Sequence, residues 1–111
     1  MTKLTTPAND RSTYIVTVAF LDEDGSAVVP DSAVWSLRSG GGAIVNSRED
    51  IAITELAASV DIVLSGDDLA YSDGAARVLT VEATYTSDAG VGLPLNDEVR
   101  FNITDLQGVE A

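Results

Sequence analysis

Apolar residues recur at every second position along most of this chain. In STYIVTVAFL, Ser12 to Leu21, the residues Tyr14, Val16, Val18 and Phe20 share one face, and Thr13, Thr17 and Ala19 share the other. A period of two with β-branched enrichment predicts a half-buried strand. Ala33 to Ser39 repeats the pattern, with Trp35 and Leu37 inward and Ser36 and Arg38 outward. Gly40-Gly41-Gly42 then predicts a turn or bulge, because three glycines cannot hold a packed strand. Two short strands, Ala43 to Ser47 and Ile51 to Thr54, are expected on either side of Arg48-Glu49-Asp50. Ala58, Val60, Ile62 and Leu64 line the next face. Leu79, Val81, Ala83 and Tyr85 line the longest one, within Arg77 to Thr86, and Val99, Phe101 and Ile103 close the series.

About seven short alternating strands at roughly 8–12-residue spacing, joined by Gly, Asp and Pro turns, predict an all-β antiparallel sandwich. ITELAASVDI fits a strand better than a helix, since Ser59 and Asp61 alternate with Val60 and Ile62. The predicted core comprises Val18, Phe20, Trp35, Leu37, Ile62, Leu64, Leu79, Val81, Tyr85, Phe101 and Ile103. Trp35 is placed like the buried tryptophan of immunoglobulin-like cores, without their cysteine pair.

Two acidic clusters invite chemical readings. In FLDEDGSAVV, Asp22-Glu23-Asp24-Gly25 falls where a hairpin would turn, and Asp-Gly is a strong turn signal because Gly accepts positive φ. An EF-type calcium loop needs alternating acids, a later glycine and a distal glutamate. Here glycine follows the acids at once and Pro30-Asp31 occupies the later positions. A looser calcium site is the alternative; the turn is preferred, and no metal or cofactor is expected. In SGDDLAYSDG, Ser65 to Gly74, paired carboxylates would suit glycoside hydrolysis. Such a site needs an aromatic-lined cleft, and the single Trp, three Tyr and two Phe lie mostly at core positions. A crossing between sheets is preferred, with the Tyr71 hydroxyl anchoring the corner. Glu82 and Arg100 are expected to pair across outward faces.

Charge narrows the partners. With 18 acids against 6 bases and a net charge of −12, the chain repels phosphate backbones and anionic bilayers, so neither nucleic acid nor membrane is expected. At 45% hydrophobic residues and 111 residues in all, it holds enough apolar surface for one core. The absence of cysteine and histidine removes disulfides, thiolate nucleophiles and histidine bases. Lys3 is the only lysine, which leaves no internal Schiff-base candidate. TKLTTPANDR after Met1 contains no apolar segment of the secretory kind. No enzyme activity is expected.

The chain resembles a group of small immunoglobulin-like proteins encoded among the structural genes of tailed bacteriophages. The resemblance is carried by TYIVTVAFLDEDGSAVVPDSAVWSL, by VLSGDDLAYSDG and above all by RVLTVEATYTSDAGVGLPLNDEVRF. It implies a single immunoglobulin-like sandwich that serves as a virion component, made in a bacterial cytoplasm. A capsid decoration or cement protein is the expected role, and a neck or tail accessory protein the alternative. The partners would be other virion proteins (a major capsid protein, or neck and tail proteins) and copies of itself. A cell-surface or carbohydrate-binding module of the same fold would call for a signal peptide, tandem repeats or exposed aromatic platforms, and none is legible.

The expected division is a flexible arm over 1–11, a sandwich over 12–106 and a short tail over 107–111. Lys3 and Arg11 flank the Thr/Pro-rich stretch containing Leu4, Thr5, Thr6 and Pro7. An arm without its own core orders on a partner, so Lys3, Leu4, Thr5, Thr6, Pro7 and Arg11 are the expected partner-binding residues. An idle terminus is the alternative.

Overall fold

In the computed structural model, residues 2–3, 8–71 and 74–104 are described, the first pair as backbone only. Eight strands follow in order: β1 (Thr2–Lys3), β2 (Ala8–Asn9), β3 (Thr13–Ala19), β4 (Ser32–Ser39), β5 (Ile51–Ala52), β6 (Ser59–Ser65), β7 (Ala76–Ser87) and β8 (Gly90–Thr104). The described residues hold no α-helix; one 3-10 turn spans Gly66–Leu69. The strands form two sheets. The larger runs β1-β8-β7-β4-β5, with β2 also on β8, and the smaller pairs β3 with β6.

Alternation places the core between these sheets. Val16, Val18, Ile62 and Leu64 from the small sheet meet Trp35, Leu37, Leu79, Val81, Phe101 and Ile103 from the large one. Tyr14 stacks on Phe101 with ring centroids 4.6 Å apart, joining the two layers. Every member of the predicted core is buried, from Leu37 and Leu64 at 0% to Val18 at 9% exposure. Each large aliphatic side chain removed from water in this way contributes about 1.5–3 kcal/mol.

Several expectations change. The sheets are not purely antiparallel, because β1 and β2 run parallel to β8. Ala43 to Ser47 is not a strand. Positive φ at Asn46 (53°) and Ser47 (56°) coils it along the edge of β4, where the Val45 N–H donates to the Leu37 carbonyl at 3.0 Å. Ordered structure also begins before Ser12: Ala8 is 1% exposed, Asp10 is 4% exposed, and Ala8 pairs with Ile103. Of the expected arm, residues 8–11 therefore belong to the packed body, while Leu4 to Pro7 lie outside the described residues. The expected tail over 107–111 lies outside them too.

A further change is the length of β8, which starts at Gly90 instead of Val99 and reaches 15 residues. A strand of that length spans about 50 Å, which accounts for the 52 Å long axis of the molecule. Register also separates the expected ion pair: Glu82 faces Asn96, and Arg100 faces Val78. The row beside it is joined by Thr80, whose hydroxyl donates to Glu98 at 2.9 Å.

Candidate functional site

The first acidic cluster is a fastened turn. Gly25 takes φ +80°, and its N–H donates to the Asp22 carbonyl at 3.0 Å. The Asp22 Oδ1 accepts the N–H groups of Asp24 and Ser26 at 2.9 and 3.0 Å. Glu23 leaves the turn to accept the Tyr85 hydroxyl at 3.0 Å and the Ser87 hydroxyl at 2.8 Å on the Glu23 Oε1. These bonds, Ser87 foremost, hold the Glu23 carboxyl below its usual range. The Glu23 carboxylate in turn pushes the Tyr85 phenol up, with burial adding to it. Oxygens of Asp22, Glu23 and Asp24 come within 4.8 Å of one another, but two of the three carboxylates are committed to this local scaffold.

The second cluster is a corner built around two buried charges. Asp68, fully buried, accepts Arg48 Nε at 2.8 Å, Asn46 Nδ2 at 2.9 Å and the Ser65 N–H at 3.1 Å. Burial alone would push its carboxyl up; the bonds from Arg48, Asn46 and Ser65 outweigh burial and hold it below the usual range. Arg48 also lies over the Trp35 ring, 5.9 Å from its centroid. Arg77, likewise at 0% exposure, donates to the carbonyls of Asp68, Gly74, Ala76 and Ala70 at 2.6 to 3.0 Å. Carbonyls that turn away from the ladders at a sheet crossing need donors, and one guanidinium supplies them. The corner is thus held by Arg77 and Asp68, not by the Tyr71 hydroxyl. Tyr71 contributes its backbone N–H, which donates to Asp10 Oδ1 at 3.0 Å, and its side chain is 38% exposed.

Of the expected partner-binding residues, Lys3 lies in β1 with its backbone in register with Arg100. Leu4, Thr5, Thr6 and Pro7 lie outside the described residues. Arg11 is drawn inward: it adopts φ 53°, its N–H donates to the Leu69 carbonyl at 3.1 Å, and its guanidinium pairs with Asp67 at 3.0 Å.

Sequence reasoning missed Arg77 and the Asn46–Arg48–Asp68 network. A signal for Arg77 was present, since it shares the inward parity of Leu79, Val81, Ala83 and Tyr85. It also missed a groove of about 690 Å³ between β6 and residues 52–57, floored by Trp35. No local pattern marks such a groove, because it arises where two sheet edges fail to meet.

No protein-family model matches the chain, and neither a curated protein nor a solved structure matches it.

Proposed function

We propose that the chain is a non-enzymatic structural component of a tailed-bacteriophage particle, immunoglobulin-like in fold and placed on the capsid as a decoration or cement protein. The strand order supports this reading most. The backbone crosses between sheets after β2, after β3, after β5 and after β6, so that β3 and β6 pair beneath β4, β7 and β8. That order is compatible with the Greek-key route of an immunoglobulin-like sandwich, in which a central tryptophan fills the core as Trp35 does here. The resemblance of the quoted stretches to phage structural proteins suggests the virion context.

The chemistry of the described polar clusters is compatible with it. Asp68, Arg77, Asp22 and Glu23 are occupied in holding turns and a corner, as a domain that must present a rigid surface requires. A net charge of −12 keeps copies apart and off packaged nucleic acid before assembly.

Quantitative mass spectrometry of particles from the phage that encodes the chain tests the proposal. Hundreds of copies per particle support a capsid site. A count on the order of six or twelve moves it to a cyclic neck or tail ring. Absence from purified particles overturns the virion reading.

A further inference from the structure

Hydrogen bonds at both ends of the β3–β6 ladder fix its polarity. The Phe20 N–H donates to the Ala58 carbonyl at 2.8 Å, and the Gly66 N–H donates to the Ser12 carbonyl at 3.2 Å. With Val16 opposite Ile62, alternation in an antiparallel pair turns the backbone of Val60, Ile62 and Leu64 toward β3. The N–H and C=O groups of Ser59, Asp61, Val63 and Ser65 then point the other way. Ser65 confirms the parity, since its N–H is taken by Asp68 at 3.1 Å. Among the described residues, the backbone groups of Ser59, Asp61 and Val63 have no such partner.

These three residues line the 690 Å³ groove. Its inner wall is apolar: Val60, Ile53 and Leu56 are partly buried against the core, beside Trp35. Across it, the Ile53 N–H is already committed to the Ala33 carbonyl at 2.9 Å. The groove therefore offers hydrogen-bonding groups on the β6 side and apolar side chains beneath.

Other edges are open too, the far side of β3 among them; that of β8 differs. The ladder bond from the Ile103 N–H to the Ala75 carbonyl, at 2.6 Å, sets the parity of β8, so Pro94, Asn96 and Glu98 face outward. Pro94 has no N–H, and the Glu98 N–H is taken by Asp97 Oδ1 at 2.8 Å. These are the usual means of blunting an edge against pairing. On β6, Ser59, Asp61 and Val63 carry neither device.

We propose that the free edge of β6 is a docking site for an extended strand of a partner protein, one that alternates apolar residues facing the groove with basic residues facing out. Free donors and acceptors at alternate residues recognise a polypeptide in extended form, and the apolar wall recognises every second side chain. Glu55 and Asp61 stand on the rim, and no basic side chain lines the groove; charge complementarity therefore selects a basic outward face. A second copy of this chain is a poor occupant. Edge-to-edge pairing of β6 would bring Asp61 and Glu55 of two molecules together, each with a net charge of −12. The inference rests on the geometry of β6 and is independent of the proposed virion role.

The test uses the full chain, isotope-labelled, with a short synthetic peptide alternating valine and lysine. The control is the same peptide N-methylated along one edge, which keeps charge and apolarity but removes the pairing donors. The expected result is slowing of amide exchange at Ser59, Asp61 and Val63 by roughly tenfold or more as they enter a ladder, with no slowing by the control. Val63→Pro removes one outward donor without touching the β3 ladder, so it keeps the fold and weakens peptide binding about 5–10-fold. If that variant unfolds, the comparison of the two peptides on the native chain decides. Equal binding of the N-methylated peptide, perturbation centred elsewhere, or prior protection of these amides by self-association overturns the proposal.

Discussion

Arg48 and Asp68, twenty residues apart in the chain, form an ion pair of 2.8 Å in which the carboxylate is fully buried and the guanidinium side chain is 39% exposed. The pair ties the coil beside β4 to the corner after β6. Breaking one side leaves the other partners unmatched, which is where buried pairs exert their largest effect. Asp68→Asn keeps the shape but loses the charge and turns an acceptor into a donor. It is expected to destabilise by about 1–3 kcal/mol in urea unfolding. Unchanged stability would show that the corner does not depend on the pair.

The core was legible because burial on a strand follows a period of two, as at Val99, Phe101 and Ile103, although Val34 and Val78 interrupt the alternation beside Trp35 and Leu79, and Ser36, expected outward, is 3% exposed. The first half of β8 was not. Gly90, Gly92 and Pro94 lower strand propensity, and Asn96-Asp97-Glu98 carries no apolar face. What makes it a strand is pairing with β7, set by the reversal between Ser87 and Gly90, and that is a tertiary effect. Asp22 to Gly25 was readable as a turn from Asp-Gly alone. The role of Glu23 as a tie to Tyr85, 62 residues away, has no local signature, and neither has the open edge of β6.

Stability should fall at both ends of the pH scale. The folded-state pKa of Asp68 is depressed, so its contribution is present above the unfolded value near 3.9 and is lost as pH falls through the lower folded value. Tyr85 is raised by the Glu23 bond and Tyr14 by burial. Their contributions are present below the unfolded value near 10 and are lost as pH rises through the raised ones. Unfolding curves across pH should show Asp68→Asn flattening the acid arm and Tyr85→Phe flattening part of the alkaline arm. Parallel curves for wild type and Asp68→Asn would contradict the assignment.

Removing residues 1–10 should destabilise the domain even though the main alternation starts at Thr13. The deletion exposes the surface covered by Ala8, which is 1% exposed. It also strips the Tyr71 N–H of its Asp10 acceptor. The loss of that acceptor alone is expected to cost about 1–3 kcal/mol. Chemical unfolding of the truncated chain measures it, and an unchanged midpoint would mean that β2 contributes nothing.

Gly25→Ala should cost about 1–2 kcal/mol, because a Cβ is unfavourable in the left-handed region. Open space around Gly25 rules out a clash as the cause. Asp22→Asn should be nearly silent, since its amide oxygen still accepts the N–H groups of Asp24 and Ser26. Thermal unfolding of the two variants separates backbone strain from charge. Destabilisation by Asp22→Asn but not by Gly25→Ala would mean that the carboxylate charge, not the turn geometry, matters.

The proposal that the chain is a virion component is tested most directly by a pair of cryo-electron microscopy reconstructions, one from intact particles of a phage carrying the gene and one from particles lacking it. The virion assignment predicts difference density repeated with the symmetry of the particle, each unit accommodating a body of 52 × 25 × 24 Å with the long β7–β8 hairpin along its axis. Superimposable maps, with the protein recovered only from the lysate, would contradict it.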